Sequence, residues 1–281
     1  MITLNESKAK EITSSFQVPV KPQILTDIQS LMLEKEPNIS AISQRVAADV
    51  GLSSSILKVI NSPFFGLNRK VTDIRQAVMY LGLDSLNSLI TSVCLKTCFK
   101  GEYAISMERF WDDAQDVANA MLYLAKHIDS DVPPDMLYTL GLFHDCGIPL
   151  LAGKYKDYKA VLLQANKEGI SPITLEERYY KTNHAVLGYY MATSWHLPKD
   201  ICQLILRHHE HDLGVFKPDD NIVFAFASLK AAIQIVEKAK RYRSSAEWDI
   251  HGHITLNTLG LSAIDFHDLE DDYMDLCLLE L

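Results

Sequence analysis

The amino-acid sequence predicts an all-α protein, with an N-terminal bundle of short helices packed on a second helical domain. Two observations lead to this fold class. Apolar residues recur at three- and four-residue spacing along almost the whole chain, which is typical of helices with one buried face. Runs of alternating apolar and polar residues are too short to require a β-strand. With 281 residues, of which 48% are hydrophobic, the chain can bury a core in two domains.

The first half is predicted to form five short helices joined by tight turns. The apolar face of the first helix includes Ile24, Ile28 and Leu31, and Pro37 interrupts that helix. Gly82 is predicted to take the left-handed conformation that ends the fourth helix, residues 74–81. Small polar residues stand where the other helices should begin. The predicted caps are Ser40, then Ser53 or Ser54, then Asp73 and Asp84.

Longer helices are predicted after a boundary near Gly101, which divides the chain into residues 1–102 and 103–281. Pro134 opens a helix that should carry His144 and Asp145. Asn183 is the expected cap of a later helix. The predicted helices of this half also cover residues 110–126, 156–167, 184–195, 198–208 and 222–238, followed by a mixed acidic tail beyond residue 260.

Composition and charge narrow the function classes. The net charge is −9, and the few basic clusters are short, which argues against direct binding to nucleic acid or to an anionic membrane. The five cysteines form no pattern typical of disulfides or of a paired-cysteine zinc site, as expected in a reducing cytoplasm. The N-terminus is unlike a signal peptide, and the apolar stretches fall short of the roughly 20 residues that span a bilayer. We therefore expect a cytoplasmic protein.

The adjacent residues His144 and Asp145 are the clearest sign of chemistry, because they interrupt an otherwise apolar run. Burying a carboxylate costs several kcal/mol unless it is paired or bound to a metal. Imidazole and carboxylate are also a common ligand pair for Zn, Mn or Fe. The pattern therefore predicts either a metal site or a hydrogen-bonded pair that bridges helices.

Three further histidines are candidates for the same site. His184 stands at a predicted helix start, where it either joins the site or caps its own helix. His208 lies one turn after Leu204 and should face inward, whereas His209 is rotated outward by about 100°. We therefore favour His208 over His209 as a site residue.

A turn with two large aromatic residues is the candidate interaction site of the first half. It contains Asn61, Pro63, Phe64 and Phe65. The aromatic residues either pack the two halves together or form a partner-binding surface, since aromatic clusters often anchor interfaces. We expect the Asn61 side chain to satisfy backbone groups of the turn.

Several blocks of the sequence resemble the HDOD family, the HD-related output domains. The most distinctive are Asn-Ser-Pro-Phe-Phe-Gly at residues 61–66 and Gly-Leu-Phe-His-Asp-Cys-Gly at residues 141–147. Further matching blocks lie at residues 18–25, 74–78, 81–83, 184–188, 195–198 and 207–209. The resemblance runs from about residue 18 to residue 238. It implies an all-helical fold in two parts, of which the second is similar to the HD-superfamily metal-dependent phosphohydrolases.

The resemblance also implies a metal site, and this chain departs from it at two positions. The superfamily uses an early histidine, the His-Asp pair and a late aspartate as ligands. The early position here holds Asp112 and Asp113, and the late position holds Ser228. Asp113 could still bind a hard cation, whereas Ser228 is a poor replacement for a carboxylate. The implied cofactor is a divalent metal, Mn, Fe, Zn, Ni or Mg, which the altered site has either retained or lost.

Two functional hypotheses follow from the altered site. The first is a cytoplasmic bacterial signal-transduction protein that acts by binding a signalling partner protein, with a nucleotide as a further ligand. The second is a metal-dependent phosphohydrolase with a modified site. Cyclic-dinucleotide phosphodiesterases of the superfamily carry a Gly-Tyr-Pro signature, which residues 214–218 do not match.

Overall fold

The computed structural model describes residues 15–16, 18–65, 67, 69–210 and 220–278, and this part of the chain is helical with no strand. The predicted all-α fold is therefore confirmed. The first half contains α1 (Gln23–Met32), α2 (Ile39–Ala47), α3 (Val50–Ile60), a 3-10 turn (Pro63–Phe65) and α4 (Ile74–Cys98). The second half contains α5 (Met107–His127), α6 (Pro134–Phe143), α7 (Ile148–Lys154), α8 (Tyr158–Glu168), α9 (Pro172–Tyr180), α10 (His184–Ser194), α11 (Lys199–Arg207), α12 (Asp220–Arg241), α13 (Ala246–Leu259) and α14 (Ala263–Leu278).

Helix caps agree with the sequence at some positions and differ at others. Asp73 accepts a hydrogen bond from the Gln76 amide at 2.8 Å, as predicted. The caps predicted at Ser40 and at Ser53 or Ser54 are wrong, because α2 and α3 begin earlier. Asn38 and Asp49 cap them instead, and a carboxylate at Asp49 also suits the positive end of the helix dipole.

Gly82 is where the structure joins two predicted helices into one kinked element. Its φ of +77° lies in the left-handed region, as predicted, but the chain continues as helix and Asp84 lies inside α4. By length and composition alone α4 could cross a membrane. Its buried residues Leu86 and Leu95 belong to the core, and core helices of soluble proteins pass the same test, so this is weak evidence for a membrane span.

Replacing Gly82 with alanine should destabilise the fold by about 1–3 kcal/mol, because a side chain strains the positive φ of the kink. The matched control is Gly51→Ala in α3, an exposed helical position where alanine should be neutral or slightly stabilising. Urea unfolding of both variants measures the difference. Equal stabilities for the two variants would show that the kink is not strained by a side chain.

The two halves share one continuous buried core. In the aromatic turn, Phe64 is buried with its ring centroid 5.4 Å from that of Tyr273, and the Phe65 and Tyr138 centroids are 6.0 Å apart. Packing between the halves therefore accounts for both aromatic side chains. The Asn61 side chain, as expected, bonds both the amide and the carbonyl of Val71, at 2.7 and 2.8 Å. Partner binding at this turn, including Pro63, stays a prediction, as does a domain boundary near residue 102.

The second half differs from the predicted helices in two places that matter. Helix α6 ends at Phe143, so His144 and Asp145 lie in a tight turn rather than inside a helix. Pro149 favours this break, because proline is suited to the first turn of the next helix, α7. In the tail beyond residue 260, residues 263–278 form a helix, and Ser262 and Asp265 bond each other's amides in a reciprocal cap at its N-terminus.

Candidate metal centre

The turn between α6 and α7 is pressed against the start of α10, which brings His144 and Asp145 next to His184. This approach requires glycine at position 147. A Cβ there would lie 2.0 Å from the His184 carbonyl oxygen and 2.7 Å from the Gly188 amide nitrogen. At the start of α10, the Asn183 side chain caps the helix by accepting a hydrogen bond from the Val186 amide at 2.9 Å, as predicted.

Four of the predicted site residues converge on one point. Asp145, His184, His208 and His209 each offer one ligand atom, and these atoms all lie within 4.8 Å of one another. His144 adjoins this four-residue cluster, with its Nε2 3.4 Å from Asp145 Oδ2. His208 is the more buried of the two adjacent histidines, at 1% side-chain exposure against 19% for His209, in line with the predicted inward and outward directions. Both rings supply an atom to the cluster, so the preference for His208 as a site residue stays a prediction.

Two glutamates, one buried and one partly buried, hold the imidazoles of His184 and His209 in place. Glu176 is fully buried and accepts from Nδ1 of His184 at 2.7 Å and from its amide at 2.8 Å. Tyr158 donates to the same carboxylate at 2.5 Å. On the other side, Glu247 accepts from Nδ1 of His209 at 2.6 Å. The Nε2 atoms of His184 and His209 then face each other at 2.9 Å.

Backbone carbonyls hold the remaining two imidazoles. Nδ1 of His144 donates to the Gly141 carbonyl at 2.6 Å, and Nδ1 of His208 donates to the Ile205 carbonyl at 2.7 Å. A carbonyl only accepts, so each Nδ1 must carry its proton. All four histidines thus use Nδ1 as a donor and direct Nε2 at Asp145 or at a neighbouring imidazole. Metal-binding histidines in proteins are oriented in this way by outer acceptors.

The pKa values of the two central histidines, His184 and His208, are shifted in opposite directions. Burial lowers the pKa of His184, but the Glu176 and Asp145 carboxylates outweigh it and raise the value to about 9. Burial and the neighbouring His209 lower the pKa of His208 to about 3. Burial raises the pKa of Asp145, yet His144, His208 and His184 together hold it well below its usual range. An anionic carboxylate therefore faces a neutral imidazole at His208.

This pairing of His208 with Asp145 has a chemical consequence. Nε2 of His208 lies 3.1 Å from Oδ1 of Asp145. In the neutral ring, whose proton is on Nδ1, that nitrogen presents a lone pair to the carboxylate oxygen. Two lone pairs at this distance repel each other unless a proton or a metal cation lies between them. The donor set therefore fits a divalent cation, with three imidazole nitrogens and one carboxylate oxygen as its ligands.

The two positions that depart from the family pattern add no carboxylate to this four-residue cluster. Asp113 is partly exposed and forms ion pairs with Lys240 at 2.9 Å and Arg241 at 2.7 Å. Its side chain lines the same cavity as His144 and Asp145, but it is not one of the four clustered ligands. Ser228 lies on α12 and is fully buried, and its hydroxyl has no hydrogen-bond partner among the residues that the structure describes.

A cleft leads from solvent to the cluster. Two adjoining cavities of about 530 and 470 Å³ both have His144 and Asp145 in their walls. The first cavity also has three cationic side chains in its walls, Arg109, Lys159 and Arg241, beside an apolar wall from α5, α8 and α12. Two carboxylates of the same walls, Asp113 and Glu237, pair with Arg241, so Arg109 and Lys159 are the cations of this passage that form no ion pair among the described residues.

Sequence reasoning missed Glu176 and Glu247, the two carboxylates that orient His184 and His209. Glu176 precedes His184 by eight residues, and its burial in a helix of mixed polarity is seen only in the structure. Glu247 follows His209 by 38 residues and reaches it only through the packing of α13 on α12.

One known domain family matches most of the chain. The family model of the HDOD domain matches residues 18–211. A Treponema pallidum protein of uncharacterized function is 28% identical over 215 residues, which are 75% of this chain and 42% of that protein. The chain thus spans less than half the length of this curated relative.

Solved structures share the fold over nearly the whole chain. A Geobacter sulfurreducens HDOD protein of unknown function has a TM-score of 0.70 and 24% identity, covering 98% of this chain and 94% of that one. A Shewanella amazonensis protein named provisionally as a metal-dependent phosphohydrolase has a TM-score of 0.64 and 20% identity, covering 95% of each chain. At these identities the likeness shows the fold alone.

Proposed function

Because this chain belongs to the HDOD family, we propose that it is a cytoplasmic bacterial signal-transduction protein that acts by binding and holds a divalent metal in its second half. The ligands are Asp145, His184, His208 and His209. The observation that carries the proposal is the convergence of four ligand atoms within 4.8 Å of one another, with Nε2 of His208 3.1 Å from Oδ1 of Asp145. A partner protein would then respond to the metal-bound form.

The donor set indicates which metals suit the site. Three imidazole nitrogens and one carboxylate oxygen favour Zn, Mn, Fe or Ni over Mg, which prefers oxygen ligands. Such an ion, when bound, neutralises phosphoryl charge and lowers the pKa of a bound water. The protein's own contribution is to fix the ligand orientations through Glu176, Glu247 and two backbone carbonyls.

Binding is favoured over turnover by the state of the two altered positions. Asp145 supplies the only carboxylate among the four clustered ligands. Asp113 is engaged by two cations at the protein surface, and Ser228 has no carboxylate to offer. A site with a single carboxylate ligand has less negative charge than the superfamily site, which has two aspartate ligands. Less charge is therefore available to hold a hydrolytic metal centre.

A second candidate function, a metal-dependent phosphohydrolase, is favoured by the cleft beside the cluster. Its walls carry Arg109 and Lys159, which form no ion pair among the described residues, together with the apolar side chains of Phe110 and Leu162. This combination suits a phosphate ester with an apolar or aromatic group, such as a nucleotide.

A hydrolysis assay at full metal occupancy separates the two candidates. Purified protein is loaded with Mn, Ni or Zn and incubated with bis(p-nitrophenyl) phosphate and with nucleotides, alongside His184→Ala. We expect metal binding without metal-dependent hydrolysis. Hydrolysis that requires the metal and disappears in His184→Ala would select the phosphohydrolase instead. Failure to bind any metal would reject both.

Metal affinity should rise with pH by about tenfold per unit below pH 9, because the ion must displace the proton of His184. The pKa of that histidine is about 9, so the ring is protonated at neutral pH and becomes free only as the pH rises. Isothermal titration calorimetry in buffers of different ionisation enthalpy measures both the affinity and the protons released. An affinity that does not change between about pH 6.5 and 8.5 would contradict this prediction.

A further inference from the structure

Glu247 reaches the candidate metal centre from a part of the chain that the family match does not cover. It lies in the first turn of α13, whereas the match ends at residue 211. Its carboxylate accepts from Nδ1 of His209 at 2.6 Å and pairs with the Lys230 ammonium of α12. Two helices beyond the matched region thus contribute side chains directly behind a candidate ligand.

We infer that Glu247 is a positioning residue that makes His209 a metal ligand, and that α12 and α13 are therefore part of the metal centre. This inference rests on the proposed function. It assigns no ligand role to Glu247 itself, whose effect on the metal passes through the imidazole of His209.

His209 depends on such a partner more than His144 and His208 do. Nδ1 of His144 and Nδ1 of His208 donate to carbonyls three residues earlier in the chain, so local backbone geometry orients those rings. His209 lies beyond the end of α11, and its side chain is 19% exposed against 1% for His208. A ring in this position keeps several rotamers open unless a neighbouring group holds it.

Lys230 keeps the Glu247 carboxylate charged and in place. Its side chain is only 7% exposed, and the ammonium also lies 5.4 Å from the centre of the Phe226 ring. A buried ammonium needs a counter-charge, so the pair fixes the angle at which α13 packs on α12. The ionised carboxylate in turn makes Nε2 of His209 a stronger donor to a cation.

Replacing Glu247 with glutamine should weaken metal binding by about 10- to 100-fold, the range found for outer-sphere partners of metal-binding histidines. The control is Asp268→Asn, which neutralises an exposed carboxylate on α14 that lines neither cavity and should leave the affinity unchanged. Calorimetric titration with Zn or Co gives the affinity, and the visible absorption of bound Co reports the ligand set. Glu247→Gln should shift that absorption, and Asp268→Asn should not.

A double-mutant cycle tests whether Glu247 acts through His209. In His209→Ala, the further change Glu247→Gln should cost nothing, because the ring it positions is gone. Glu247→Gln alone leaves Lys230 without its counter-charge, which could disturb folding. The double variant Glu247→Gln/Lys230→Met removes both charges of the pair and serves as the comparison that should stay folded.

The possible results separate this inference from the proposed function. Equal metal affinities of the wild type and Glu247→Gln would overturn the inference and leave the proposed function standing. Fully additive losses in the cycle would also overturn it, because they indicate a general structural role. Wild-type protein that binds no metal would overturn both.

Discussion

Replacing Asp145 with asparagine should reduce metal affinity by more than about 100-fold, beyond the range typical of outer-sphere residues. One carboxylate oxygen lies 3.1 Å from His208 and 3.4 Å from His184, and the other lies 3.4 Å from His144. Asparagine keeps the shape of the side chain and removes the charge that a cation needs. Calorimetric titration with Mn, Ni and Zn measures the loss, and thermal melting checks that the variant is folded.

The control for this experiment is Asp113→Asn. Asp113 stands where the family resemblance expects a ligand, but the structure places it in ion pairs with Lys240 and Arg241 at the surface. Its neutralisation should change the metal affinity by less than about twofold, since exposed ion pairs contribute little. If Asp113→Asn loses the metal and Asp145→Asn retains it, the ligand set given above is wrong.

Replacing Gly147 with alanine should destabilise the protein by about 3 kcal/mol or more, at or above the usual range for overpacking. The added Cβ would lie 2.0 Å from the His184 carbonyl oxygen, and neither backbone can yield as a flexible side chain does. Relief of this overlap must move the α6–α7 turn away from α10. The variant should therefore also lose metal affinity, because Asp145 and His184 separate.

The control for Gly147 is Gly153→Ala, at an exposed position in α7, where the nearest atom to a new Cβ belongs to the Tyr103 ring at 3.1 Å. A side chain can move, and alanine favours helix, so stability should change by less than about 1 kcal/mol. Urea unfolding of both variants measures the difference. A Gly147→Ala protein as stable as Gly153→Ala would mean that the turn is not packed against α10 as described.

Much of the fold could be predicted because its signals are local. Asp73 and Asn183 cap helices where the sequence places them, and Gly82 has the predicted positive φ. The errors at Ser40 and Ser53 have a local cause as well. Stronger caps, Asn38 and Asp49, stand slightly earlier in the chain, and the apolar periodicity does not specify which polar residue begins a helix.

The site could be predicted only in part, because its outer residues meet through tertiary packing. The His-Asp pair is unusual in an apolar run, and this makes His144 and Asp145 visible in the sequence. Glu176 and Glu247 carry no such signal, since each is one glutamate in an ordinary helix. Their roles depend on how α9 and α13 pack beside His184 and His209.

The proposed function requires that Asp145, His184, His208 and His209 hold one divalent metal ion. Inductively coupled plasma mass spectrometry of the purified protein, with His208→Ala beside it, tests this most directly. We expect close to one equivalent of Zn, Mn, Fe or Ni per chain in the wild type and a loss of most of it in the variant. Metal that is absent from both proteins after incubation with these ions, or equal in both, would contradict the claim.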